Sequence, residues 1–595
     1  MKRRLIPLVT AVMITLLTGH GNASGIAITK HNLSASSENA IRAMTEDQIC
    51  VFCHTPHNAN PAVGLWNHPV NSNPYTVYTT GTIRGDVLQP SGSTKLCLSC
   101  HDGTIALGSL VTATDIIPMV GTAADGTLPT NTTNLGTDLR NDHPVSITVQ
   151  NIPGQELRIP TLDPAIKYVT NQGQVTVECT SCHDPHNDAY GKFLRKYNID
   201  IATGKGSQIC LACHEKLNWQ NTVHFSDTKL YNNTPIQESA CANCHSVHNS
   251  KSYSHLLNRD DSTEYLEQVC LDCHGPNGIT QVNIVDAFNF SYNHPTLIID
   301  GVHQGEEVRG LTPDQILAKM AAGTTGTVTG THKHAECVDC HGPHSIEAED
   351  RSSNPVRTSK ISPALLGTWG LKPYWDSPES QQAYAEPNRW EVITFTDITD
   401  IDALEAYLCF KCHPEKAQEF NPYNASFHAV MADRGGMFVS QASGLGIYRS
   451  PWIATAAMKC THCHSSSNGT FGPHGSLYNH IISKPFYRTT NSDGKGGTTP
   501  ISSGDLCHQC HDLSTTGFVS NSRANLHMRK HEDRACTSCH AVHGSRFAHL
   551  LSSKDGPIFE NRNSLQTLKV DSINNVERSG SGWDQHKTCA LSGCG

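Results

Sequence analysis

Long apolar runs are almost missing from this chain of 595 residues. Past the N-terminus, residues 105–121 come nearest to one, and Asp115, several threonines and Pro118 interrupt them. No transmembrane segment is therefore expected in the mature chain. Hydrophobic residues make up only 37% of the sequence, while Gly (46) and Pro (30) are plentiful. That is little apolar side chain for burying the cores of several ordinary domains, so some other buried surface is needed. A basic surplus is lacking as well. The net charge of −10 argues against nucleic acid and against an anionic membrane surface as partners. No cysteine follows the N-terminal apolar stretch until Cys50, which argues against a lipid anchor.

What is present begins with Lys2, Arg3 and Arg4, an apolar segment from Leu5 to Leu17 and small residues around Ala23. This is the pattern of a secretory signal peptide, taken as residues 1–24. The mature protein is expected to be exported, to the periplasm, the cell outer surface or the extracellular space.

Export makes disulfides the default reading of 24 cysteines, but their spacing argues otherwise. Eleven C-x-x-C-H motifs take up 22 of them: Cys50, Cys53 and His54; Cys97, Cys100 and His101; Cys179, Cys182 and His183; Cys210, Cys213 and His214; Cys241, Cys244 and His245; Cys270, Cys273 and His274; Cys337, Cys340 and His341; Cys409, Cys412 and His413; Cys460, Cys463 and His464; Cys507, Cys510 and His511; Cys536, Cys539 and His540. On a helical turn, positions i, i+3 and i+4 share one face. Two thiols can then add to the vinyl groups on one porphyrin edge while the histidine meets the iron from the same side. C-x-x-C-H is the attachment signature of haem c. Zinc fingers instead set the Cys pair about a dozen residues from the His pair. Eleven haems c are the expected cofactors, with the eleven motif histidines as proximal ligands.

Each iron has a second axial face. Of 35 histidines, His20 lies in the signal and eleven are proximal, which leaves 23 for eleven distal positions; methionine numbers nine. The supply points to bis-histidine ligation and low potentials rather than His/Met ligation. Five motifs carry another histidine three places after the proximal one: His57, His186, His248, His344 and His543. Such a side chain starts on the proximal side of its own haem and cannot reach round the ring. It can reach a neighbouring iron. Pro precedes it in three cases (Pro56, Pro185, Pro343) and turns the chain away from helix. Further distal candidates are His143 and His294, each followed by Pro, with His224, His428 and His474 in the gaps between motifs. His334 of the pair His332/His334 and His531 of the pair His527/His531 complete the set. His68 has a context similar to His143. His462 and His508 fall inside motifs and read as fillers; His31, His255, His303, His480, His549 and His586 read as structural or exposed.

A repeat is visible. Residues 179–214 and 241–274 each run from a motif with the extra histidine through a Leu-Arg or Leu-Leu staple to a second motif, and residues 536–551 begin a third copy. This pattern resembles the doubled C-x-x-C-H families of multihaem cytochromes c. The segments YLCFKCH, EFNPYNASFHAV, KCTHCHSS, LCHQCH and CTSCHAVHGS between about 400 and 551 resemble exported multihaem cytochromes of metal-reducing bacteria. The resemblance implies electron transfer through periplasm or outer surface towards external acceptors such as metal oxides, with other redox proteins as partners and with possible porin docking or self-assembly.

The expected fold is mainly coil with short α-helices and few strands, elongated, its core a chain of closely packed haems. The expected divisions are a two-haem region (25–155), a doubled-motif region with five haems (156–345), a haem-free connector (346–398), a four-haem region (399–551) and a tail (552–595) with Cys589 and Cys594 as a local disulfide. Helices are expected at 263–274, 311–322 and 400–413, strands at 145–152 and 391–396, and a plain turn at 491–497. An electron conduit with no catalytic residue is the favoured function, because all eleven motifs are standard. A multihaem reductase with one open iron face and a subunit of a conducting filament or porin complex are the alternatives.

Overall fold

The computed structural model describes most of residues 25–297, then 335–347, 360–431, 449, 458–485, 506–511 and 541–545, with short breaks within 60–63, 81–84, 150–162 and 260–266 and at a few other positions. The signal segment, the 311–322 helix, the 491–497 turn and the tail cysteines lie outside the described residues. The chain is mostly coil with short helices and few strands. Two compact units form. One contains residues 25–215 and 238–258; the other contains 216–237 and the described residues from 259 onward. The division falls within residues 156–345.

In the first unit, helix α1 (Gly92–His101) ends in a cysteine motif. Leu98, between the two cysteines, is 1% exposed and packs with Tyr75 and Leu139. With Leu98 facing the polypeptide, the cysteines and His101 are turned to another face of the same helix. Three short strands, β1 (Ile147–Thr148), β2 (Val169–Asn171) and β3 (Gln174–Val177), form an antiparallel sheet with β3 central. Ile147 pairs with Val177, and Val169 with Thr176. The sheet delivers the chain directly into Glu178 and the turn Cys179–Cys182. A small cluster of Ala43, Phe52 and Leu110 is the unit's other apolar centre.

In the second unit, α2 (Gln268–His274) carries a motif at its C-terminal end, within the expected 263–274, of which 263–266 lie outside the described residues. The connector is more than a linker. Its strands β4 (Trp369–Tyr374) and β5 (Arg389–Thr394) form a six-pair antiparallel hairpin, from Trp369 opposite Thr394 to Tyr374 opposite Arg389. Pro373 fits because a two-stranded sheet has only edge strands. The residues about this hairpin pack on α3 (Glu405–Phe410), which leads into Cys409 and Cys412. Ile361, Leu365, Phe395, Tyr407, Phe410 and Phe420 build the largest apolar cluster of the described residues there. The stretch without Cys and His thus contributes to the largest core that ordinary side chains make among the described residues.

Candidate functional site

The motifs are single helical turns. The backbone N–H of the motif histidine donates to the carbonyl of the first cysteine: His54 to Cys50 at 2.8 Å, His183 to Cys179 at 3.0 Å, His214 to Cys210 at 2.8 Å, His464 to Cys460 at 2.8 Å. That i+4 bond carries both thiols and the imidazole to one side. Behind several motifs the chain returns and pairs with the histidine. Trp66, Leu194, Leu257 and Ile482 bridge antiparallel to His54, His183, His245 and His464. The residue after each of these donates its N–H to the second cysteine's carbonyl, as Arg195 does to Cys182 at 2.9 Å and Ser483 to Cys463 at 2.9 Å. The leucine staples of 179–214 and 241–274 are therefore backbone clasps. Trp66 and Ile482 extend the repeat to the motifs at 50 and 460.

The same returning segments orient the imidazoles. Nδ1 of His183 lies 2.9 Å from the Lys192 carbonyl, that of His245 2.8 Å from His255, and that of His464 2.7 Å from His480. All three acceptor residues have positive φ, of 52°, 60° and 63°. The left-handed kink turns the carbonyl towards the ring. His101 and His341 use the carbonyls of Thr133 and Ala364, each at 2.8 Å. A proton held on Nδ1 leaves the Nε2 lone pair for a metal. His255 and His480 contribute through their backbone, which no side-chain signal announces.

Eight of the expected distal histidines face a motif histidine. Ring centroids are 6.1 Å apart for His54 and His186, 6.2 Å for His143 and His214, 6.2 Å for His183 and His248, and 6.4 Å for His224 and His274. The remaining four are His294 with His413 at 6.5 Å, His341 with His474 at 6.1 Å, His428 with His511 at 6.5 Å and His464 with His543 at 6.0 Å. A metal–imidazole bond is about 2 Å, and a ring nitrogen sits about 1 Å from its centroid, so one iron between two imidazoles needs centroids about 6 Å apart. The extra histidine of the motif at 179 thus meets the motif histidine at 54, that of 241 meets 183, and that of 536 meets 464. His344 lies 6.1 Å from Trp219 and His57 is exposed. His334, His531 and the motif histidine His540 lie outside the described residues. His68 is fully buried, with its nitrogens 3.0 Å from the Pro69 carbonyl and 3.2 Å from that of Ala106. Both are engaged, so it is structural. His31, absent from the expected ligands, stands 6.1 Å from His101.

Five of the distal rings are also held at Nδ1. The carbonyls of Pro343 and Pro473 take His224 and His294 at 3.0 and 2.6 Å, and the Val542 carbonyl takes His428. Two use carboxylates: His543 with Glu419 at 2.6 Å and His248 with Asp142 at 3.3 Å. Burial and then the facing histidines push His474 down to about 3 and His274 and His464 to about 4. These rings are neutral, the form that binds metal.

The thiols are arranged in chain order. Sγ atoms of first cysteines meet in hydrogen-bonding contact at Cys97 and Cys179, Cys210 and Cys241, Cys270 and Cys337, and Cys409 and Cys460. Second cysteines are close enough to act on each other's charge at Cys53 and Cys100, Cys182 and Cys213, Cys340 and Cys412, and Cys463 and Cys510. Within each unit five motifs therefore adjoin in sequence order, alternating first-cysteine and second-cysteine contacts. Burial pushes the thiols of Cys100, Cys182, Cys412 and Cys463 up to about 12. Among the described residues no three His, Cys, Asp or Glu converge tightly enough for a bare metal ion. Two thiols and an imidazole on one face, with a second imidazole opposite, fit a flat macrocycle with iron at its centre. Residues 173–218 and 233–281 match the family model described as the doubled CXXCH motif. Those two segments carry the doubled CXXCH motif of a multihaem c-type cytochrome family. No curated protein matches it. CXXCH motifs of this kind indicate covalently bound haem c. No helix among the described residues is long and apolar enough to cross a membrane.

Proposed function

We propose that this cytochrome is an electron conduit of eleven haems c with bis-histidine irons, exported to the periplasm or outer surface, and passing electrons to external acceptors such as metal oxides. Each haem supplies a one-electron Fe(III)/Fe(II) couple. The polypeptide binds it by two thioethers, presents Nε2 from both sides and closes the iron to small ligands. The observation that carries this reading is the set of eight histidine pairs with centroids 6.0–6.5 Å apart. Carbonyl-anchored or carboxylate-anchored imidazoles are strong donors and favour low potentials. A conduit needs neighbouring sites, and the alternating cysteine contacts supply a row of five in each unit. An iron closed by imidazoles on both faces leaves nowhere for substrate, so no catalytic step is assigned at these eight pairs.

The pure secreted protein should carry eleven haem masses and show a wholly low-spin ferric signal in electron paramagnetic resonance. A high-spin signal at one or more irons would replace this reading with that of a multihaem reductase.

A second reading, assembly with another cytochrome, is favoured by Pro56-His57. Both residues are exposed, and they repeat the Pro-His dipeptides that reach neighbouring irons elsewhere. On that reading His57→Ala shifts the protein to a smaller species in size-exclusion chromatography and leaves haem content unchanged. An unchanged elution volume removes it.

A further inference from the structure

We propose that His31 is the distal ligand of the iron whose proximal ligand is His101, and that the loop after Cys179 positions it. This deepens the bis-histidine reading and rests on it. His31 lies 66 residues before Cys97, ahead of every motif, where no spacing marks it as a ligand. Three observations carry the assignment.

The first is distance. The His31 and His101 rings are 6.1 Å apart, inside the range of the eight other pairs.

The second is the neighbour of the His31 ring, the Pro185 carbonyl, which lies close enough to act on its protonation. The residue that follows Pro185 is His186, which faces His54. The same dipeptide device recurs elsewhere. The carbonyls accepting from His224, His294 and His428 belong to Pro343, Pro473 and Val542, and the next residues are His344, His474 and His543. Each dipeptide thus offers a carbonyl to one distal ring and an imidazole of its own. His31 stands where the other three stand. One loop, 183–193, thereby serves three irons: His183 as proximal ligand, His186 as distal ligand of another, and Pro185 through His31.

The third is the investment in its placement. The ring stacks on Phe193 at 4.3 Å and 15°. The segment around it is pinned by polar residues: Asn32 Nδ2 donates to the Ala27 carbonyl at 2.6 Å, Asn39 Nδ2 to the Thr29 carbonyl at 2.8 Å, and Ser34 Oγ to Asn32 Oδ1 at 2.7 Å. A ring that only filled space would be served by Phe193 alone.

The test uses the full secreted holoprotein. His31→Phe keeps an aromatic ring against Phe193, so a purely structural role survives it, while ligation does not. One of eleven irons should become high-spin, one carbon monoxide should bind per molecule after reduction, and added imidazole should restore the low-spin spectrum. His31→Met should keep that iron low-spin, show a methionine-to-iron charge-transfer band, and move one redox wave upward; it serves equally if the Phe variant accumulates poorly. His143→Ala, at an independent pair, is the reference. If His31→Phe stays wholly low-spin while His143→Ala yields one high-spin iron, His31 is not a ligand and the bis-histidine reading stands. If neither variant yields one, both fall.

Discussion

Made in a compartment that cannot attach haem, this polypeptide should not fold. Circular dichroism should show no cooperative thermal transition, and a protease should cut it at rates orders of magnitude above those for the holoprotein. The reason lies in the scale of the apolar clusters. The first unit has two, each built on three buried side chains: Ala43, Phe52 and Leu110, and Tyr75, Leu98 and Leu139. A buried large apolar side chain contributes about 1.5–3 kcal/mol. Ordering each backbone residue costs about 1–2 kcal/mol. A handful of the former cannot order some two hundred residues without regular ladders. Haem rings held against the faces that carry the cysteines and histidines would supply the missing apolar area. The segment around β4, β5 and α3 has the larger cluster of Phe395, Tyr407, Phe410 and Phe420 and should be the last part digested. A sharp unfolding transition in the haem-free chain would show that the polypeptide holds itself together.

Glu178→Gln should raise the midpoint potentials of two haems, those bound at Cys97/Cys100 and Cys179/Cys182. Glu178 is 1% exposed and stands directly before Cys179. Its carboxylate accepts from Thr94 Oγ1, from Ser146 Oγ at 2.9 Å and from Thr176 Oγ1 at 2.7 Å, and it caps the Cys179–Cys182 turn in reciprocal bonds with Ser181. Thr94 belongs to α1, so one buried anion joins two motifs whose first cysteines touch. Negative charge there favours the ferric state of both irons. A unit charge about 10 Å from an iron, at an effective dielectric near 20, is worth about 1.7 kcal/mol, or roughly 70 mV for a one-electron couple. The amide has the same shape but points donors at donors, so the variant should also lose about 1–3 kcal/mol of stability. Protein-film voltammetry reads the first effect and thermal melting the second. An unchanged voltammogram would remove Glu178 from the electrostatics of the site. Glu405 holds the matching place at the Cys409–Cys460 contact, accepting from the backbone and hydroxyl of Thr461 at 2.9 Å.

The pattern of success in reading the chain has a physical basis. The family was legible because it is written in local spacing. Cys179, Cys182 and His183 share a face by virtue of one helical turn, whatever the rest of the chain does. The shortage of helix and strand followed from composition, and α3 was foreseen from the run before Cys409. The connector was read as a boundary for want of Cys and His; a strand was expected at 391–396, where Arg389–Thr394 forms, but its partner Trp369–Tyr374 was not foreseen, because cross-strand pairing is not visible in either strand alone. The clasps at Trp66 and Ile482 were hidden for the same reason: they act through backbone, which any side chain can supply.

The sequence alone thus determined where the thiols that would bind haem stand and which histidine shares their face, since those choices are made within five residues. Which imidazole meets which from the opposite side was decided only by tertiary structure. His31 and His101 are separated by 70 positions, His294 and His413 by 119, and nothing in the intervening residues encodes the approach. Such pairs come together through many weak, distributed contacts that exist only in the folded chain.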